Sequence, residues 1–198
     1  MTLLICRICI LHYRTLGIVY KAMDTLLRFT VAVKVESGIS TFSQVENESE
    51  VYEDLKYSEG FPIIYDFSRV QKESYMAMEL LGPSLETLFH VCGRQFSLET
   101  VCNIGLQAVS EVLLEQHWTY AFSQVDRLEG LHAKGYVHRD LKPANFDIGG
   151  LKNTGTIYLI DLGLATYFRT PYQPVNDDDI AGTPLYFSIH HHNHLPYT

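Results

Sequence analysis

His138-Arg139-Asp140-Leu141-Lys142-Pro143-Ala144-Asn145 is the stretch from which the rest of the chain can be read. It places a candidate general base (Asp140), a candidate phosphate-binding cation (Lys142) and a candidate metal ligand (Asn145) within one octapeptide. Downstream, the apolar run Thr156-Ile157-Tyr158-Leu159-Ile160 leads into Asp161-Leu162-Gly163. A carboxylate beside a glycine at the end of a buried strand suits the holding of a divalent cation. Either half alone is weak, since Asp before a turn residue also marks a plain turn. Both, in this order and at this spacing, make a stronger signal than either alone.

The bulk numbers are permissive. The chain has 198 residues, 46% of them hydrophobic and 19% charged, an ordinary globular composition with enough apolar material for a core. A formal net charge of -8 supplies no global field toward nucleic acid or anionic membrane, so neither is expected as a partner. Cys6 and Cys9 form a C-x-x-C without a second pair at zinc spacing, and are read as incidental. The apolar opening Leu3–Leu11 is too short to span a bilayer and is interrupted by Arg7. It has neither a basic leader nor a small-residue cleavage site. A reducing setting, cytoplasmic or nuclear, is therefore expected, in which the glycosylation pattern Asn47-Glu48-Ser49 is chance.

Upstream of the octapeptide the chain reads as strands with one helix, a breaker, then mostly helix. Gly17–Asp24 and Phe29–Glu36 alternate, the latter with Val31, Val33 and Val35 on one face and Ala32 and Lys34 on the other. Ser43–Lys56 carries Val45, Val51, Tyr52 and Leu55 at helical intervals. Further strands are expected near Ile63–Val70 and Ser74–Leu80, before the breaker Gly82-Pro83. Ser84 and Ser97 are candidate N-caps for helices starting at Leu85 and Leu98.

The helix from Leu98 contains an anomaly. Leu98, Val101, Cys102, Gly105 and Val109 mark one face, and Leu128, Leu131 and His132 mark a later one. Removing residues 109–124 restores the period, because Val125 then stands where Val109 stood. At about 100° per residue, that segment rotates the later face by about 160°, so it must loop out. Val109-Ser110 can be encoded by GTAAGT, and Phe122-Ser123-Gln124 by a pyrimidine-rich run ending in CAG. The segment is thus expected to be a translated intron rather than evolved protein, with a surface insertion as the alternative. Sequencing of the mature transcript decides: codons 109–124 in most messages would end the intron reading.

The motifs together resemble those of the protein kinases, and among them the casein kinase I family. The tokens are Met78-Glu79-Leu80-Leu81-Gly82-Pro83-Ser84-Leu85-Glu86, Phe96-Ser97-Leu98-Glu99-Thr100-Val101, Tyr158–Ala165, and Gly182-Thr183-Pro184-Leu185-Tyr186 followed by Ser188-Ile189. The resemblance implies an α+β, bilobal fold: a small antiparallel β-sheet lobe plus a mainly helical lobe, the C-terminal lobe being incomplete. It divides the chain into an atypical segment 1–16 and a partial kinase domain 17–198, with lobes 17–81 and 82–198 and the insert at 109–124. It further implies a monomeric serine/threonine kinase acting with ATP and Mg²⁺ on protein hydroxyls. In that family the strand lysine, here Lys34, steadies the α- and β-phosphates, and Glu48 pairs with it; Glu46 and Glu50 are sequence rivals. Asp140 would receive or orient the hydroxyl proton, Lys142 would neutralise the γ-phosphate and Thr183 would brace the base. Asn145 and Asp161 would hold Mg²⁺. Gly17 and Val19 would cover the nucleotide, and the backbones of Glu79 and Leu81 would meet adenine.

Several positions depart from the family pattern. Of the phosphate-covering G-x-G-x-x-G-x-V, Gly17 and Val19 remain, while His12 and Arg14 replace the other glycines. Residues 1–16 are therefore expected not to form a native first strand. Val101, Leu128 and Leu131 are expected to lack some of their packing partners. Leu162 replaces the usual Phe, and Leu185 stands where the family carries a basic residue that binds acidic substrates, with Asp177-Asp178-Asp179 nearby. His190-His191-His192 and His194 have the ligand type for zinc or nickel but no accompanying framework, and read as a solvated segment. These departures make a catalytically inactive kinase-like binding module the rival expectation.

Overall fold

The computed structural model describes residues 5–14, 17–25, 28–38, 43–108, 127–151, 153–167 and 181–189. The intron-like segment 109–124, Asp177–Asp179 and the histidines from 190 onward lie outside them.

Period-two alternation in the first half of the chain becomes a five-stranded antiparallel sheet. Its strands are β1 (Ile5–Arg14), β2 (Gly17–Asp24), β3 (Thr30–Ser37), β4 (Ile64–Val70) and β5 (Glu73–Glu79), in the order β1-β2-β3-β5-β4. On β3, Val31, Val33 and Val35 join Ala22 and Ala77 in one cluster, while Ala32 turns to the opposite face and the main core. Alternate side chains of a strand point to opposite faces, so one strand serves two packing layers.

β1 corrects an expectation. Residues 5–14 do form a strand, antiparallel to β2 with irregularities between Arg7 and Cys9 and between Ile10 and His12, and Leu11 packs on the main core. The physical reason is that β2 would otherwise present an unpaired edge, and Ile, Cys and Leu fit a pleated surface whether or not a glycine loop follows. The side chains of His12 and Arg14 lie outside the described set.

Helix α1 (Gln44–Asp54) buries Val45, Glu48, Val51 and Tyr52, spaced i, i+3, i+6, i+7 along one face, as in a core-facing helix. Ser43 caps it, its hydroxyl accepting from the Glu46 amide at 3.2 Å. The Glu36 carboxylate at the end of β3 accepts from the Ser43 hydroxyl (2.6 Å) and from the Val45 amide (3.2 Å). A negative group there suits the positive helix terminus.

After the breaker come α2 (Leu85–Val91), α3 (Leu98–Ala108) and α4 (Arg127–Ala133). Two short ladders pair β6 (Tyr136–Val137) with β9 (Thr166–Tyr167), and β7 (Phe146–Ile148) with β8 (Ile157–Leu159). Ser84 and Ser97 cap as expected, accepting from the Thr87 and Thr100 amides. The expected packing deficit falls on α3, where Leu98 is 79% exposed and Val101 51%. It does not fall on Leu131, which is fully buried in the main core with Leu55, Phe61 and Leu159, or on Leu128, which packs against it. α4 is held there by Arg127, whose Nε donates to the Ile157 carbonyl at 2.8 Å. The guanidinium passes so close to Gly60 (φ 79°) that a Cβ there would lie 2.1 Å from Nε.

Candidate active site

Two clusters of charged side chains meet where the lobes join. In the first, β3 presents Lys34 inward, and its Nζ lies 2.6 Å from Glu48 Oε2 on α1 and 2.6 Å from Asp161 Oδ1. Glu48 is almost fully buried and also accepts from the Leu162 amide at 3.1 Å. Its sequence rivals point elsewhere: Glu46 bonds Arg69, and Glu50 is exposed. Burial opposes the charge on Lys34, but the attraction and hydrogen bonds of the two carboxylates outweigh it and raise its pKa, so the ammonium stays charged. Glu48 is pushed up by burial and by Asp161, against the pull of Lys34.

The second cluster surrounds Asp140. Its Oδ1 accepts from the Thr183 hydroxyl (2.7 Å), and its Oδ2 from Lys142 Nζ (2.6 Å) and Asn145 Nδ2 (3.3 Å). Lys142 also donates to Thr183 Oγ1 at 2.8 Å. Gly182, at φ 112°, makes this approach possible, since a Cβ there would lie 2.2 Å from the Arg139 carbonyl oxygen.

Hydrogen bonds to backbone carbonyls tie the clusters together. The Ile160 amide donates to the Asn145 carbonyl at 2.9 Å, and Arg139 Nε donates to the Leu164 carbonyl at 2.7 Å. The distant stretches around 140 and 161 therefore do converge. Asp161 itself is left-handed (φ 66°, ψ 58°), a costly conformation for a non-glycine residue and one that often marks a site.

A cavity of about 350 Å³ opens beside the first cluster. The sheet contributes Val19, Ala32 and Lys34, the connection between lobes contributes Glu79 to Pro83, and the lower lobe contributes Asp147, Ile160 and Asp161. Glu79 and Leu81 are thus among the lining residues. Gly17 and the Asp140 cluster are not among the lining residues; Gly17 packs instead under β3, a Cβ there reaching 2.6 Å from the Val35 oxygen. The donor set is of the type a small hard cation takes: Asn145, whose amide nitrogen donates to Asp140, and the Asp161 carboxylate both carry oxygen ligands.

Two contributors were missed by sequence reasoning. Asp147 gave one signal, a charge inside a short apolar strand. Asn47, read as a chance glycosylation match, donates to the Gly163 and Ala165 carbonyls at 3.2 and 3.1 Å and fastens α1 to the Asp161 loop.

Residues 15–191 match the protein kinase domain family. The chain belongs to the protein kinase family. Within it, the domain is similar to casein kinase I homolog 2 and casein kinase I homolog 3 of Schizosaccharomyces pombe, each 32% identical over 196 residues. These matches cover 91% of this chain and 41% of each relative, so the kinase domain spans about two fifths of their length.

Proposed function

We propose that this kinase domain transfers the γ-phosphate of ATP to serine or threonine hydroxyls of proteins, in the manner of casein kinase I, as a cytoplasmic or nuclear monomer. The observation that carries this reading is the Thr183–Asp140–Lys142 triangle, joined through Asn145 to a cavity that ends on Lys34 and Asp161. Asp140 orients the acceptor hydroxyl and takes its proton, with Thr183 fixing the carboxylate. Lys142 sits where it neutralises charge on the transferred group, and Lys34, held by Glu48, steadies the inner phosphates. Asn145 and Asp161 would hold Mg²⁺, which when bound offsets charge on the phosphates. Leu185 is 82% exposed and carries no charge, so the acidic-substrate preference is not part of the proposal.

The test is phosphate incorporation into a generic acceptor protein by the purified chain. Asp140→Asn should lower the rate by roughly 10²–10⁴-fold while nucleotide binding persists. Equal rates for the two proteins would sink the reading. Nucleotide binding without any transfer would favour the non-catalytic module.

A further inference from the structure

Helix α1 ends on a carboxylate that a helix terminus disfavours. The C-terminal end of a helix carries partial negative charge, so a basic residue suits it and an acidic one does not. The last turn of α1 has no basic residue, and Glu53 and Asp54 stand there instead. Lys56 offsets Glu53 at 2.7 Å. Asp54 is met from the lower lobe: the Tyr136 hydroxyl donates to its Oδ2 at 2.7 Å. A residue that breaks a local rule while making a specific long-range contact points to a role for that contact.

The direction of Tyr136 is set by its surroundings. Its ring packs against the main core and meets Tyr167 edge-to-face, with centroids 5.5 Å apart, and the two residues stand opposite each other in the β6–β9 ladder. Tyr167 also closes over Gly135 (φ 84°), where a Cβ would lie 2.5 Å from its ring. The hydrogen bond to Asp54 pushes the phenol pKa up to about 12, so the hydroxyl remains a donor at neutral pH. Tyr136 lies four residues before Asp140, and Tyr167 six residues after Asp161. The bond therefore runs from the end of α1 to the ladder that borders both aspartate loops.

Two hydrogen-bonded attachments thus join α1 to the lower lobe. Asn47 reaches the Gly163 and Ala165 carbonyls, and Asp54 reaches Tyr136 about 10 Å further along the helix. Glu48 lies between them. One attachment lets a helix pivot on its apolar face. Two fix its direction, and with it the reach of Glu48 to Lys34 at 2.6 Å. A misplacement of about 1 Å is enough to slow a reaction. Resting on the transfer reading above, we propose that Tyr136 is a positioning residue: its bond to Asp54 holds α1 at the angle that keeps Glu48 on Lys34.

The experiment compares the full chain with Tyr136→Phe, Asp54→Ala, Asp54→Asn and the double variant Tyr136→Phe/Asp54→Ala. The readouts are phosphate incorporation into a generic acceptor protein, titration calorimetry with Mg·ATP, and urea unfolding. Tyr136→Phe keeps the ring and removes the donor. It should lower kcat/KM for ATP and weaken Mg·ATP binding about three- to tenfold, with KM for the acceptor unchanged. Asp54→Ala should do the same with little change in the urea midpoint, since the lost bond and the relieved helix terminus offset each other. Asp54→Asn keeps an acceptor for the hydroxyl and should restore most of the loss. The double variant should be no worse than either single one, because both remove the same bond. Should Asp54→Ala not fold, Tyr136→Phe and Asp54→Asn decide. Single variants within about twofold of wild type, or losses that multiply in the double variant, overturn this inference and leave the transfer reading standing. A wild type that binds Mg·ATP but transfers nothing overturns the transfer reading, and the calorimetric comparison still decides the role of Tyr136. A wild type that binds no nucleotide overturns both.

Discussion

His138 shows how one side chain sets a pH response. It is buried, its Nδ1 accepts from the Asp140 amide (3.2 Å) and its Nε2 lies 3.1 Å from the Ile160 carbonyl. Both bonds suit a neutral ring with the proton on Nε2; a second proton would face an N–H. Burial accordingly lowers its pKa below the ordinary 6.5, although the nearby Ile160 carbonyl and two aspartates pull the other way. The unfolded chain then binds more protons than the folded one as pH falls below 6.5, so stability from this group is full above that value and declines beneath it. In urea unfolding, His138→Gln should show a flatter stability profile than wild type between about pH 5 and 7. At this scale Lys34, Glu48, Asp140 and Thr183 were legible because their neighbours in sequence form motifs. Asp147 was not, since a strand of three residues has no period from which to tell which face meets the cavity.

Elements were read more reliably than their neighbours. β2 falls on its expected bounds and α2 on its expected start, and β3, β4, β5 and α1 lie within one or two residues, because alternation, helical spacing and caps are local signals. β1 was misjudged because its pairing depends on the edge of β2, which local sequence does not describe. The apolar stripe of α3 was correctly helical, yet its burial depends on what lies opposite. The contact between α1 and the Asp161 loop was equally invisible, and it is testable. Asn47→Ala removes two hydrogen bonds to the Gly163 and Ala165 carbonyls and should cost about 2 kcal/mol in chemical denaturation. Hydrogen exchange should quicken around residues 162–165 before it does in the sheet.

Over the whole molecule, stability is concentrated where the lobes share a core. Leu131 belongs to the cluster that also contains Val45, Met76 and Leu162, so Leu131→Ala should lose about 2–5 kcal/mol in urea unfolding. Leu98→Glu, on the exposed α3 stripe, should change stability by no more than about 0.5 kcal/mol. Equal losses from the two substitutions would refute this division. The bilobal plan was legible because a run of strands precedes a breaker and a run of helices. The seating of α4 was not, since it rests on Arg127 passing Gly60. The triangle at Asp140 also constrains the sequence of events across the molecule. Both carboxylate oxygens are already engaged, Oδ2 by an ammonium that a phosphate would draw away. On the proposed transfer, an acceptor protein arriving first would meet a base locked in an internal contact, whereas one arriving after the nucleotide would find Lys142 diverted. Initial-velocity and dead-end inhibition patterns should therefore be those of compulsory-order addition, nucleotide leading.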